Sequence, residues 1–210
     1  MQNIRAQWGD AIVMACAASS VPPSFLAALI ANESGGNAGA HRFEKGVLDS
    51  LWEVLLGRAA AYGSLQRDDL LRFMLSPYSQ NGAAPGPGPA TALVAVVTGS
   101  MLRLDGLATS YGLTQVMGYE AIAFHLDGFA RLADPAGELP ITLNMLADFA
   151  RRFGLDLSAS SSAAAGELFD CWNSGRPHAP TADPQYIPNG LARMQIYQQL
   201  SAPATTPAET

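Results

Sequence analysis

A chain of 210 residues with 49% hydrophobic and 14% charged residues can bury a substantial core, which excludes a disordered protein. Its net charge of −6, with Lys45 as the only lysine, excludes an electrostatic footprint for nucleic acid or for an anionic membrane surface. Alanine and leucine dominate and β-branched residues form few runs, so the composition predicts an all-α fold. We expect a single domain over residues 1–200, followed by a flexible tail at residues 201–210.

The ends and the cysteines of the chain indicate a soluble protein made in the cytoplasm. Residues 1–10 are polar, and no basic segment of the usual kind precedes the apolar run at residues 11–18, so no secretory signal is predicted. No stretch reaches the roughly 18 uninterrupted apolar residues of a membrane-spanning helix. Cys16 and Cys171 are the only cysteines, and their apolar neighbours favour two buried free thiols. The alternative, a bridge, matters if the protein works outside the cell.

Apolar residues recur at helical spacing through most of the chain. This periodicity predicts helices at about residues 3–18, 47–62, 67–75, 90–104, 140–153, 163–172 and 186–200. Residues 38–46 are too polar and too rich in flanking glycine for a regular core element. Residues 80–89 combine glycine, proline and alanine without periodicity, which predicts an ordered surface loop within the same domain.

The stretch from Pro22 to Asn37 carries the first candidate site. A proline pair opens an alanine- and leucine-rich run and a glycine pair closes it, which predicts one short helix. Leu26, Ile30 and Glu33 share one face, so an acid lies on a core stripe. Apolar surroundings and the carbonyl end of the helix should both raise its pKa, as a general acid that protonates a glycosidic oxygen requires. The alternative is a helix-end residue that reaches solvent past Gly35.

A second informative stretch covers residues 108–124. A helix there would present Tyr111, Gln115 and Tyr119 on one face, and two glycines would allow a close approach to the backbone. Tyrosines and an amide beside glycines suit carbohydrate, which offers hydroxyl groups for hydrogen bonds and C–H faces for aromatic rings. The alternative is a packing helix that tolerates glycine.

Four short segments in chain order resemble the signatures of the soluble lytic transglycosylase and goose-type lysozyme group. They are Glu33-Ser34, residues 111–117, residues 171–175 and residues 186–192. The group has Glu-Ser at a helix end, Gly-Leu-Met-Gln, Ala-Tyr-Asn-Ala-Gly and a tyrosine that opens the last helix. The resemblance covers residues from about 22 to 200. It implies a lysozyme-like, mainly helical fold and cleavage of the β-1,4 bond between N-acetylmuramic acid and N-acetylglucosamine in peptidoglycan.

The resemblance also implies a role for each matching residue. Glu33 matches the catalytic acid and base, and Tyr186 matches the tyrosine that stands near this carboxylate. Gln115 matches the glutamine that lines the glycan cleft, and Asn173 matches the asparagine of the third motif. Two further motif residues are expected to contact the substrate, Ser34 and Tyr111.

The chain departs from the group in its motifs and in its spacing. Thr114 stands where the group has methionine, and Cys171 and Trp172 stand where it has alanine and tyrosine. A far longer insert than usual separates Glu33 from the second motif. This insert contains Arg42-Phe43-Glu44 and resembles the arrangement in phage-type muramidases.

The number of catalytic carboxylates separates two chemistries. A hydrolytic, endolysin-like muramidase needs a second carboxylate as nucleophile or base, and the candidates are Glu44 and Asp105. For both, a solvated surface carboxylate is the alternative. In a lytic transglycosylase, as the resemblance implies, one glutamic acid protonates the leaving oxygen and then accepts the proton of the sugar's own 6-hydroxyl group. We favour the transglycosylase, and a catalytically silent glycan-binding or assembly domain is a further alternative.

The expected partner is the glycan strand of peptidoglycan, reached in the periplasm or by phage-mediated release. The protein is expected to be a monomer, with no nucleic-acid partner and no membrane insertion. Its three histidines, His41, His125 and His178, lack metal-ligand spacing and are interpreted as surface or supporting residues. Neither a metal nor a cofactor is expected.

Overall fold

The computed structural model describes residues 1–75, 103–126 and 128–202. These residues are mostly helical, in agreement with the composition, and short strands occur in addition. The helices are α1 (Gln2–Cys16), α2 (Pro23–Glu33), α3 (Lys45–Leu55), α4 (Arg67–Leu75), α5 (Glu120–Ala123), α6 (Ala130–Ala133), α7 (Pro135–Phe153), α8 (Ser162–Ser174) and α9 (Tyr186–Ser201). The strands are β1 (His41–Phe43), β2 (Ala61–Tyr62), β3 (Leu65–Gln66), β4 (Thr109–Tyr111) and β5 (Val116–Met117). Residues 103–107 are also helical.

The chain divides into two compact units. The first unit comprises Met1–Asn37 and the chain from Leu139 onward, and the second comprises Ala38–Glu138. The expectation of one domain over residues 1–200 stays a prediction. Of the predicted tail, residues 203–210 lie outside the described part of the chain.

Helix α2 forms the core of the first unit. Every residue from Ser24 to Ile30 is buried, so the helix is covered on all sides and not only on one stripe. Helices α1 and α9 pack against it. The ring of Phe25 stacks on that of Phe169 from α8, with centroids 4.4 Å apart. The bounds of α2 confirm the helix predicted between the proline pair and the glycine pair.

A tight turn ends α2 and holds it against α1. Gly36 adopts a φ of +93°, and a Cβ at this position would lie 2.6 Å from Ile4 Cδ1. The Gly36 carbonyl accepts a hydrogen bond from the Trp8 indole nitrogen at 2.9 Å. Only glycine fits this backbone conformation and this approach, which explains why a glycine is needed after Glu33.

The second unit contains a small antiparallel sheet and a separate apolar core. The sheet has the order β1-β4-β5, and His41 pairs with Tyr111 across its first two strands. Strands β2 and β3 form their own hairpin. The core beside them consists of buried residues from α3, β3, α4 and residues 104–108, namely Leu51, Val54, Leu55, Leu65, Leu70, Leu104, Leu107 and Ala108.

The helix predicted over residues 108–124 is wrong in its first half. Thr109–Tyr111 and Val116–Met117 are paired strands, and Ser110 lies opposite Met117. Gly112 at φ +78° and Gln115 at φ +56° turn the chain between them, and neither angle is helical. Helix α5 begins only at Glu120.

The other predicted segments have different outcomes. The helix expected over residues 47–62 ends at Leu55, before Gly57 at φ +72°. The polar stretch 38–46 contributes β1, a sheet strand whose residues are all exposed. The loop predicted at residues 80–89, and the helix predicted at 90–104 up to residue 102, lie outside the described residues.

Candidate active site

Glu33 and Tyr186 meet in the first unit. Glu33 is the last residue of α2 and is half-buried, and Tyr186 is the first residue of α9 and is 8% exposed. The phenol of Tyr186 donates a hydrogen bond to Glu33 Oε1. The structure therefore brings together a carboxyl group and a phenol that the sequence separates widely.

The polar side chain beside Glu33 fixes the two helix ends to each other. Asn32 Nδ2 donates a hydrogen bond to the carbonyl oxygen of Tyr186 at 3.0 Å. Asn32 Oδ1 accepts a hydrogen bond from Arg193 Nη1, about two turns further along α9 than Tyr186. Since both ends of the Asn32 amide are used, the end of α2 and the start of α9 are held in one arrangement.

Aromatic packing fixes the ring of Tyr186. The ring of Phe169 meets it edge to face, with centroids 6.3 Å apart, and stacks on Phe25 through its other contact. Such pairs contribute about 0.5–1.5 kcal/mol beyond the area they bury. The orientation of the phenol is therefore determined by the core and not only by its hydrogen bond to Glu33.

Burial raises the pKa of Tyr186 far above its ordinary value, and the negative charge of Glu33 and the hydrogen bond to it raise it further. The side chain of Asn32 acts in the opposite direction and is outweighed. The phenol therefore keeps its proton wherever a carboxyl group titrates. It remains a donor to Glu33 in both protonation states of that residue.

The Ser34 side chain forms hydrogen bonds at the end of α2. Its hydroxyl group lies 3.3 Å from the Ile30 carbonyl oxygen, to which it donates, and accepts a hydrogen bond from the Gly36 amide at 3.2 Å. These bonds hold the Ser34 side chain between the last turn of α2 and the turn that follows it. The substrate-binding role expected of Ser34 stays a prediction.

Asn173 lies in the last turn of α8, and its side chain is exposed. The loop after it is fixed by Asp170, which is buried and accepts a hydrogen bond from the His178 amide at 2.8 Å. Ser174 Oγ lies within hydrogen-bonding distance of the carbonyl oxygens of Asp170 and Arg176. An exposed amide at a helix end beside a fixed loop is compatible with glycan binding, which stays a prediction for Asn173.

In the second unit, Tyr111 packs inward from β4. Its ring stacks on Phe129 with centroids 5.4 Å apart, and its hydroxyl group donates to the Gly106 carbonyl oxygen at 3.2 Å. Burial raises the pKa of Tyr111, and a hydrogen bond with Thr109 lowers it by less. These contacts give Tyr111 a packing role, and its expected contact with glycan stays a prediction.

Gln115 ties the turn after β4 to the sheet. Its amide nitrogen donates to the carbonyl oxygens of Ala40 at 3.2 Å and Gly112 at 2.9 Å, and its oxygen accepts from Ser110 Oγ at 2.8 Å. An amide oxygen has two lone pairs, so it can accept a second hydrogen bond, for example from a sugar hydroxyl group. The shared helical face expected for Gln115 with Tyr111 and Tyr119 does not exist, because this segment is a hairpin.

Glu138 is a carboxyl group that the sequence interpretation missed. It has no exposed surface and accepts hydrogen bonds from the Leu113 amide at 2.7 Å, the Thr114 amide at 2.6 Å and the Thr114 hydroxyl group at 2.6 Å. Burial raises its pKa to about 6, although these three hydrogen bonds act to lower it. A detectable signal was present, since Glu138 precedes the buried residues Ile141 and Thr142 by three and four positions.

The two candidates for a second carboxylate, Glu44 and Asp105, differ in exposure and in their hydrogen bonds. Glu44 is half-buried at the start of α3 and accepts a hydrogen bond from Arg42 Nε at 2.5 Å. Asp105 is exposed, and its carbonyl oxygen accepts from Thr109 Oγ1 at 2.8 Å. A catalytic role for either carboxylate stays a prediction.

The histidines lie at the surface, and the cysteines are buried. All three histidines are exposed, and among the described residues no group of three or more His, Cys, Asp or Glu side chains could hold a metal ion. Cys16 and Cys171 are free and buried, which confirms the interpretation as thiols. Burial raises the pKa of each to about 11, so both are protonated at neutral pH.

Comparison of the chain with protein-family models, with curated proteins and with solved structures gives no match. The similarity to lytic transglycosylases therefore depends on the four motifs. Of the helices in residues 1–75, 103–126 and 128–202, none is both long and apolar enough to cross a membrane.

Proposed function

We propose that the protein cleaves the β-1,4 bond between N-acetylmuramic acid and N-acetylglucosamine in peptidoglycan, as a lytic transglycosylase with a lysozyme-like fold. Glu33 is the general acid and base. The observation that carries this proposal is the hydrogen bond from the Tyr186 phenol to Glu33 at the end of the buried helix α2. A half-buried carboxyl group with a fixed, permanently protonated donor beside it is suited to proton transfer.

In the first step, Glu33 acts as an acid. Because the phenol of Tyr186 donates to Oε1, the carboxyl proton is carried on Oε2. This proton passes to the glycosidic oxygen while the bond from that oxygen to C1 of the muramic acid breaks. The N-acetyl group of the substrate stabilises the positive charge that develops at C1.

In the second step, the Glu33 carboxylate acts as a base. It accepts the proton of the 6-hydroxyl group while that oxygen forms a bond to C1 of the same sugar. The product carries a 1,6-anhydro ring, Glu33 is protonated again, and no water is consumed. Between the steps the phenol of Tyr186 stabilises the carboxylate, as hydrogen bonds to a charged form do.

The surroundings of the other acids support the single-carboxylate chemistry. Glu44 is paired with Arg42, Asp105 is exposed, and Glu138 is fully buried with three donors on its two oxygens. Its complete burial makes Glu138 unsuitable for contact with a substrate. A hydrolase would need a second carboxylate as its nucleophile or base.

The test is digestion of purified peptidoglycan in water enriched in heavy oxygen, followed by mass spectrometry of the fragments. We expect 1,6-anhydro ends without heavy oxygen from the wild-type protein, and no fragments from Glu33→Gln. Quantitative incorporation of heavy oxygen would identify a hydrolytic muramidase. Glycan binding without cleavage by the wild-type protein would identify a silent binding or assembly domain.

A further inference from the structure

The turn between β4 and β5 is built around one buried carboxyl group. Glu138 Oε2 accepts the Leu113 amide, and Oε1 accepts both the amide and the hydroxyl group of Thr114. Leu113 and Thr114 are themselves fully buried. The sheet pairs of this hairpin join Ser110 to Met117 and Tyr111 to Val116. The amides of Leu113 and Thr114 lie outside these pairs, and the carboxyl group supplies their acceptors.

The shape of the turn fits this carboxyl group closely. A Cβ at Gly112 would lie 2.2 Å from Glu138 Oε2 and 2.5 Å from the Leu132 carbonyl oxygen, so only glycine allows the carboxyl group to enter. Gly112 also adopts a φ of +78°, which favours glycine independently. The carboxyl group therefore fills the space inside the turn as well as accepting its hydrogen bonds.

The same turn determines where Gln115 lies. Gln115 directly follows Thr114 and adopts a φ of +56°, a backbone conformation that costs free energy for a residue other than glycine. Its side-chain amide reaches Ala40, beside the first residue of β1, and Gly112 within the turn. Glu138 fixes the amides of Leu113 and Thr114, and it therefore also fixes the backbone from which the Gln115 side chain extends.

We propose that Glu138 is a positioning residue for Gln115: through the amides of Leu113 and Thr114 it holds the 112–115 turn, and with it the Gln115 amide, in the glycan-binding arrangement. Glu138 does not touch the substrate, since it is fully buried. The link to glycan depends on the proposed function, because the role of Gln115 in the cleft does. The link from Glu138 to the turn and to the Gln115 amide does not depend on it.

The first experiment follows the turn itself by NMR of the full chain. In Glu138→Gln one acceptor oxygen becomes an NH₂ group that faces a donor, so we expect the amides of Leu113 and Thr114 to exchange roughly 10-fold faster or more. The side-chain amide signals of Gln115 should shift, and the Ile30 amide of α2 should not change. Asp148→Asn is the matched control, because it also removes one carboxylate from α7, at a partly exposed position. Unchanged exchange and unchanged Gln115 signals would overturn the proposal, whatever the protein cleaves.

A milder pair of variants covers the case in which Glu138→Gln does not fold. Thr114→Val removes the hydroxyl donor to Glu138 Oε1 and keeps the branched shape, whereas Thr114→Ser keeps the donor. We expect Thr114→Val to shift the Gln115 side-chain signals and to speed exchange at residues 113 and 114, and Thr114→Ser to resemble the wild type. Equal behaviour of the two variants would count against the positioning role.

The second experiment measures cleavage of peptidoglycan by Glu138→Gln, Gln115→Ala and the double variant. If Glu138 acts through Gln115, the double variant should be no slower than Gln115→Ala alone, and KM should change more than kcat. Multiplication of the two single effects would refute the link to glycan while leaving the NMR result in place. Absence of cleavage by the wild-type protein would refute the proposed function, and the NMR experiment would still decide the positioning role.

Discussion

The phenol of Tyr186, at the first position of α9, donates its hydrogen bond to the carboxyl group of Glu33, at the last position of α2. Helix α2 is buried along its length, so the position of Glu33 is set by the core of the first unit. The ring of Tyr186 packs on Phe169 in the same core. The geometry of this pair is thus a consequence of helix packing. Variants of Glu33, of Tyr186 and of the neighbouring Asn32 should separate effects on the catalytic rate from effects on stability.

Replacing Glu33 by Gln should abolish cleavage while the fold is kept. The amide has the shape of the carboxyl group and can accept the phenol hydrogen bond, but it cannot deliver a proton. We expect a loss of at least about 100-fold in rate, the usual contribution of general acid catalysis. The measurement is fragment release from purified peptidoglycan, together with a thermal melt. A near wild-type rate in this variant would remove Glu33 from the mechanism.

Replacing Tyr186 by Phe should lower the rate without disturbing the packing of the ring. The variant keeps the contact with Phe169 and loses the hydroxyl group that donates to Glu33 and interacts with the Asn32 side chain. We expect a loss of about 10- to 100-fold in kcat, since a hydrogen bond to a charged group contributes about 1.5–3 kcal/mol. The matched control is Tyr197→Phe, at another buried tyrosine of α9. Equal losses in both variants would indicate a general effect of removing a hydroxyl group from this helix.

Replacing Asn32 by Ala should reduce the rate because the ends of α2 and α9 are no longer held together. The variant removes the hydrogen bond to the Tyr186 carbonyl oxygen and the acceptor of Arg193. We expect a loss of about 2 kcal/mol or more in stability from the two lost bonds, and a lower kcat from the displaced phenol. The control is Gln198→Ala, which removes the hydrogen bond from α9 to Ser24 at the other end of α2. A kcat that falls as far in the control as in Asn32→Ala would contradict this role.

The local signals of α2 made its part of the site predictable. The proline pair marks the start of the helix, the glycine pair marks its end just after Glu33, and the apolar spacing places the acid beside the core. The contact with Tyr186 is not local, and only the resemblance to the four motifs pointed to it.

The hairpin that bears Gln115 was not predictable in the same way. Strand β4 pairs with β1, about seventy residues earlier in the chain, and neither strand is long enough to show a period of two. The segment was therefore predicted as a helix, because Tyr111, Gln115 and Tyr119 happen to lie at helical spacing. Glu138 was missed because the predicted helix began at Pro140, whereas α7 begins at Pro135 and contains Pro140 in its interior.

Titration of Glu138 should make the protein less stable as the pH rises through about 6. Its folded pKa of about 6 exceeds the ordinary value of 4.5, so the fold favours the protonated form. The stabilising contribution is complete below about pH 4.5 and is lost above about pH 6, and it amounts to about 2 kcal/mol. The measurement is the free energy of unfolding from pH 4 to pH 8 for the wild type and for Glu138→Gln. The difference between the two curves should change with pH in this direction, and a difference independent of pH would be evidence against the raised pKa.

The final prediction concerns the two candidates for a second carboxylate. Glu44→Ala and Asp105→Ala should each retain substantial activity, because a transglycosylase uses the 6-hydroxyl group of the sugar in place of an activated water. Glu44 pairs with the guanidinium group of Arg42, so Arg42→Ala is a control for any structural effect of breaking this pair. Rates on purified peptidoglycan give the result, since a hydrolase should lose almost all activity when its second carboxylate is removed. Collapse of activity in Asp105→Ala, or in Glu44→Ala but not in Arg42→Ala, would assign that residue a catalytic role and replace the transglycosylase with a hydrolase.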